Sequence, residues 1–152
     1  MVLTGGSTGD DNNYLRRIKK KIHRNGLTGD VTFLEDFEGE ARHSFFRQVS
    51  LISVPVRLGE AFGIYLLEAM ASGVPVVQPA LGAFPEIIQI AGGGVTYEPN
   101  SPSELAKTLG KLLSDPLELE KLSLKGREGV VKHFDVTLQV EKMLIAYQDV
   151  IK

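Results

Sequence analysis

The sequence predicts an α/β fold: a doubly wound, Rossmann-like parallel sheet sandwiched by helices. Three observations predict it. Runs with strand character alternate with helical periodicity five times along the chain. The connections are short, which favours parallel strands joined by crossover helices. The run LISVP at 51–55 is apolar without a break, as expected of a strand covered on both faces.

Each element has its own warrant. MVLT at 1–4 reads as a short strand, and the turn-rich GGSTGDDN follows. From Asn12 to Arg24, Leu15, Ile18 and Ile22 share one helical face, and Asn25-Gly26 stops the helix. VTFLE at 31–35 is a strand. A helix follows at about 39–49, with Ala41, Phe45, Phe46 and Val49 as its apolar face. After the strand at 51–55, a helix at about 63–72 ends at Gly73, and VPVVQ at 74–78 is the next strand. A short helix begins near Pro85, and VTYE at 95–98 is the fifth strand. Asn100 or Ser101 then caps a helix whose Pro102 suits a first turn. The rest is helical, with C-terminal helices over about 116–152; the last is spaced Val140, Met143/Leu144, Tyr147, Val150/Ile151. There is no internal repeat, low-complexity stretch or linker, so residues 1–152 read as a single domain.

Composition excludes several classes of function. The 152 residues are 43% hydrophobic, 24% charged and 7% aromatic, which is ordinary for a globular chain. A net charge of −2 gives no argument for nucleic acid or an acidic substrate. With no cysteine, disulfide frameworks and thiolate metal sites are excluded. No run of about 18 apolar residues spans a membrane and Met1 opens no signal peptide, so a cytoplasmic setting follows by elimination. His23, His43 and His133 lie far apart without ligand spacing and read as surface or helix-end residues.

Doubly wound sheets bind ligands at the carboxyl ends of their strands. Four loops lie there: 5–12, 36–40, VRLGEAFG at 56–63 and PALGAFPE at 79–86. The glycines of TGGSTG match neither the dinucleotide fingerprint nor the P-loop, and fit a plain turn as well as a phosphate or base contact. The basic run Arg16-Arg17-Ile18-Lys19-Lys20-Lys21 keeps helical apolar spacing, so it reads as a solvated helix face. The third loop differs. Gly63 opens a helix whose free amides and positive dipole end face out of the sheet edge, a ready site for phosphate. Glycine there lets a ligand approach the backbone. Glu68, about one and a half turns on, would repel phosphate but can accept from hydroxyls such as those of a ribose. Glu60, in the loop, can face a neutral, hydroxyl-rich group. From spacing alone the plainer reading stays favoured: a surface Glu60 and a Glu68 paired with a lysine.

The segment from Glu60 to Val77, EAFGIYLLEAMASGVPVV, resembles the E-x7-E signature of retaining glycosyltransferases with the GT-B fold. VTFLEDFEGE resembles that family's third-strand region, LGAFPEII its G-G-x-P-E-[IV]-[IV] loop, and GGGVTYEPNSPSELAKTLGKLLSDP its sixth strand and following helix. The order is the family's, and the similarity covers nearly the whole chain. It implies the C-terminal, nucleotide-sugar-binding half of a GT-B fold. Glu60 would contact the transferred sugar as the catalytic carboxylate, and Glu68 would bind the ribose hydroxyls. The donor-binding stretch would run Ala61, Phe62, Gly63, Ile64 and Tyr65, with the amides of the last three on the donor diphosphate. Phe37 and Arg42 would lie near the base. The reaction implied is transfer of a hexosyl group from a nucleoside diphosphate sugar to a hydroxyl, with retention. No D-x-D motif occurs, which fits a metal-independent site with no cofactor.

One departure matters. The family's carboxyl-terminal domain opens with a strand ending in G-R-[LF], then a K-G pair whose cations grip the diphosphate; this chain resembles it only from the second strand on. The sequence therefore reads as a fragment that lacks that first strand and the acceptor domain, and is inactive alone. The sheet is expected to rearrange, with the second strand pairing directly to the fourth, or to be completed by another molecule. The resemblance implies a glycan or lipid acceptor on the missing N-terminal domain, peripheral association of the full-length enzyme with the inner membrane face, and no nucleic acid partner. Two alternatives stay open. A sugar-nucleotide epimerase of GT-B type would turn over donor without acceptor. A stand-alone binding module would have no glycosyltransferase-like reading frame upstream of Met1.

Overall fold

Apart from residues 51–55, the apolar runs fold into strands and the periodic stretches into helices in the order expected. The computed structural model describes residues 1–5, 9–34 and 39–151. Contacts divide the chain into two units, Met1–Phe45 and Phe46–Lys152, each of which is described by itself.

In the first unit, β1 (Val2–Thr4) pairs in parallel with β2 (Thr32–Leu34), Val2 opposite Thr32. Between them runs α1 (Asn12–Arg24). Its Leu15, Ile18 and Ile22 are half-buried and every other position is exposed, so the basic run is the outer face the periodicity indicated. Asn25 closes α1 by donating from Nδ2 to Lys21 O at 2.7 Å. Then α2 (Gly39–Phe46) follows β2 and ends in the buried pair Phe45 and Phe46.

The second unit is built on β3 (Val76–Pro79), buried at all four positions and paired in parallel with β4 (Gly94–Tyr97). Around it lie α3 (Ile64–Ala71), α4 (Phe84–Ala91), α5 (Pro102–Leu113), α6 (Pro116–His133) and α7 (Val136–Val150). Leu66 and Met70 of α3, with Phe84 of α4, are fully enclosed. Burying each such side chain contributes about 1.5–3 kcal/mol before entropy is counted. On the Val77 side, Tyr97, Leu112 and Leu122 close a second cluster. Ser101, not Asn100, caps α5, accepting from Glu104 N at 3.2 Å with Pro102 in the first turn. Asp115 and Asp135 cap α6 and α7 in the same manner.

Three glycines set the seat of α6. A Cβ on Gly129 would lie 2.0 Å from Ala91 O, and one on Gly93 would lie 2.3 Å from the Cα of Gly126, so α6 meets the end of α4 backbone to backbone. Polar contacts fix it further: Ser123 Oγ donates to Gly73 O at 2.6 Å, and Arg127 Nη1 donates to Ala71 O at 2.7 Å. The guanidinium thus sits at the negative end of α3. By contrast α7 buries none of its residues; Val140, Met143, Leu144 and Tyr147 are each more than half exposed.

Three expectations need correction. Residues 51–55 do not form a strand. Only Ile52 bridges to Val76, because the Val54 amide donates to the Gln78 side chain at 3.0 Å and Pro79 of β3 has no amide to return to Val54. The expected ladder between the first strand and 51–55 is not among the described pairings, which are two separate two-stranded parallel sheets. The helix expected to reach residue 49 stops at Phe46.

The glycine contacts make opposite predictions for one substitution. Gly129→Ala forces a methyl into a carbonyl that no rotamer can relieve, and should destabilise by about 3 kcal/mol in urea unfolding. Gly110→Ala, with open space around an exposed position of α5, should instead stabilise by about 0.5–1 kcal/mol.

Candidate functional site

Two loops and two helix starts in the second unit assemble around Glu60. Gly63 holds a left-handed backbone, φ +78° and ψ +62°, immediately before α3. That conformation turns the chain sharply enough for the helix to begin at Ile64, with no side-chain cap on its first amides. Leu66 N donates to Gly63 O at 2.9 Å, which leaves the amides ahead of it at the open end of the helix. Gly63, Ile64 and Tyr65 thus form the opening turn of α3.

The loop carrying Glu60 is held from three sides. Asn100 Nδ2 donates to Val56 O at 2.9 Å, and the Gln78 side chain takes the Val54 amide. At Glu60 itself, Ala83 N donates to the backbone carbonyl at 3.1 Å. Gly82, at φ +55°, packs so closely that a Cβ there would lie 2.4 Å from Glu60 O and 2.7 Å from Glu60 N. The loop that resembles the G-G-x-P-E region thus grips Glu60 through its backbone.

The Glu60 side chain is fixed as well. Tyr65 Oη donates to Glu60 Oε2 at 2.5 Å. Gly63 makes room for this: a Cβ on it would come within 3.1 Å of Phe84 Cε1 and 3.4 Å of Tyr65 Cζ. Burial pushes the Tyr65 phenol well above its ordinary value of 10.0, and the hydrogen bond to Glu60 and its negative charge push it further. It is a neutral donor throughout the physiological range.

Glu68 lies one helical turn beyond Ile64 on α3, partly exposed, while Leu66, Ala69 and Met70 face the core. Its spacing from Ile64 and Tyr65 puts the three on one flank of the helix. Around the turn, Leu58, Phe62 and Ile64 are 83%, 46% and 64% exposed, an apolar lip beside the amides; Ala61 is exposed too. Arg42 lies on α2 in the first unit, and Phe37 falls outside the described residues. Sequence reasoning missed three contributors: the Tyr65 hydroxyl, Gln78 and Asn100. Tyr65 had been weighed only through its amide. A tyrosine two residues after a glycine turn that follows a glutamate was the available signal.

The Tyr65–Glu60 pair gives a titration test. Glu60→Gln removes the carboxylate charge and should lower the Tyr65 phenol toward, but not to, 10.0, since burial remains; tyrosinate absorbance of the variant against Tyr65→Phe reads it. The sign for stability follows. The folded state holds this proton more tightly than the unfolded state, so stability is intact below pH 10 and falls as pH rises beyond it. The fall should be shallower in Tyr65→Phe.

With the geometry in place, comparisons locate the chain among known proteins. The family profile described as glycosyl transferases group 1 matches residues 1–129. A D-inositol 3-phosphate glycosyltransferase of Corynebacterium jeikeium is 33% identical over 115 residues, covering 76% of this chain and 27% of that protein. The sucrose-phosphate synthase of Thermosynechococcus elongatus superposes with a TM-score of 0.84 at 28% identity, covering 99% of this chain and 38% of that one. Anabaena Alr3699/HepE, solved in complex with UDP, superposes with a TM-score of 0.83 at 23% identity over 95% of this chain and 40% of that one. The chain spans about a quarter to a third of the length of the curated relatives it matches.

Proposed function

Because the chain belongs to the glycosyl transferases group 1 family and has the Rossmann-like fold of a GT-B carboxyl-terminal domain, we propose that it is the donor-binding portion of a retaining hexosyltransferase. One observation carries the reading: the α3 turn at Gly63 presents free amides between a fixed Glu60 and Glu68 on the same helix.

In this reading the amides of Gly63, Ile64 and Tyr65 hold the diphosphate of a nucleoside diphosphate sugar. Glu68 accepts from the ribose hydroxyls, and Glu60 lies against the hexosyl group. Transfer breaks the bond between the anomeric carbon and the diphosphate oxygen and forms one to an acceptor hydroxyl, whose proton leaves with the departing diphosphate. The transition state has oxocarbenium character, and negative charge grows on the leaving oxygens. Amides already aligned on those oxygens stabilise the growing charge without reorganisation. The amides do this without a metal ion. The acceptor would bind a second domain of the full-length enzyme. UDP in complexes of the Anabaena neighbour makes uracil the first base to try.

Calorimetric titration of the chain with UDP, GDP and ADP tests this. One nucleotide should bind, Glu68→Ala should weaken it about 10- to 100-fold through two lost hydroxyl contacts, and EDTA should leave the affinity unchanged. Heat from none of the three would overturn the assignment.

A further inference from the structure

Tyr65 has a second role to account for. Its amide belongs to the helix turn, but its phenol folds back across Gly63 and donates to Glu60 Oε2. A tyrosine on an amphipathic helix has an easier choice: its hydroxyl can turn to water. Here instead it is spent on the one carboxylate whose backbone is already clamped by Gly82 and Ala83. Glu60 is only partly buried, so the contact is not needed to satisfy an enclosed charge. Two independent restraints, one on the main chain and one on the side chain, therefore converge on a single residue. That is the arrangement expected where an acceptor must meet a ligand in one orientation.

We propose that Tyr65 is a positioning residue for Glu60: its hydroxyl occupies Oε2 and leaves Oε1 to accept from a hydroxyl of the donor's hexosyl group. The proposal rests on the donor-binding reading above and adds which group orients the sugar contact. Two carboxylate oxygens offer about four acceptor directions. Engaging one oxygen selects among the remaining directions, so the hydroxyl pattern of the hexose is read by a fixed acceptor. The neutral phenol keeps this role across the physiological range, because burial and Glu60 both hold its proton in place.

The test separates sugar from nucleotide. Calorimetry on the chain compares UDP with UDP-glucose, GDP with GDP-mannose and ADP with ADP-glucose, using the pair that binds, for the parent, Tyr65→Phe, Glu60→Gln and the double variant. The bare nucleotide draws on the Tyr65 amide, which phenylalanine keeps, and should move by less than about twofold. The sugar nucleotide should weaken about tenfold in Tyr65→Phe. The double variant should be no weaker than Glu60→Gln alone. Equal weakening of both ligands in Tyr65→Phe would make the tyrosine merely structural and overturn the proposal. So would an unchanged sugar-nucleotide affinity, or a tyrosine effect that persists in the Glu60→Gln background. If the parent binds none of the bare nucleotides, the donor-binding reading itself fails, and that outcome is visible before any variant is made.

Discussion

Complete burial of β3 is the constraint from which the second unit follows. A strand with no exposed residue must find protein partners for its backbone polar groups, since each one left unmet costs about 1–3 kcal/mol; the Gln78 side-chain nitrogen is buried without one. Val76 N takes Gly93 O and Val77 N takes Ile52 O, so the strand fixes the backbone on either side of it. Gln78, wholly enclosed, places its Oε1 on the Val54 amide. That contact ends the pairing of 51–55 after one bridge and directs the chain outward at Pro55. Asn100, just past β4, receives it at Val56. The route of the loop that carries Glu60 is thus a consequence of polar bookkeeping inside the sheet.

Charge arithmetic decides how such a turn can coexist with two glutamates. Glu68 stands four residues from Ile64, roughly 6 Å along the axis by helical rise. At that range, and at an effective dielectric near 20, a carboxylate repels a phosphate charge by about 3 kcal/mol before salt screening. The helix end returns up to about 2 kcal/mol. Direct charge-assisted bonds from amides, about 1.5–3 kcal/mol each, tip the balance once two are made. An anion is therefore tolerable only in contact with the amides of the turn. Elsewhere near α3 the glutamates favour neutral hydroxyls.

Most of the helices were legible because their signals are local. Asn25-Gly26 ends α1, Ser101-Pro102 opens α5, and Gly63 marks the start of α3, each within a residue or two of expectation. The misplaced strand at 51–55 shows the limit. Its apolar run was real, but its pairing was decided by Gln78, 24 residues away, whose side chain took the place of a backbone acceptor. Glu60 and Glu68 were singled out by spacing and resemblance together. What holds Glu60 was not, since Gly82 and Ala83 belong to another loop and the Tyr65 contact depends on how the left-handed Gly63 turns the chain. Contacts made by a missing Cβ leave no mark in a residue pattern.

Mechanically, α3 and α4 behave as cantilevers. Their free ends, at Ile64 and Phe84, lie beside the Glu60 loop, and their far ends are clamped by α6. The clamp on α3 is Arg127 and Ser123; the clamp on α4 is bare backbone against bare backbone at Gly129. The α4 joint has no side chains and so no rotamers to absorb play, so a small rotation of α6 is passed on to α4 with little damping. The tips of those beams are where displacement is largest, and they carry the α3 amides and abut the loop that holds Glu60.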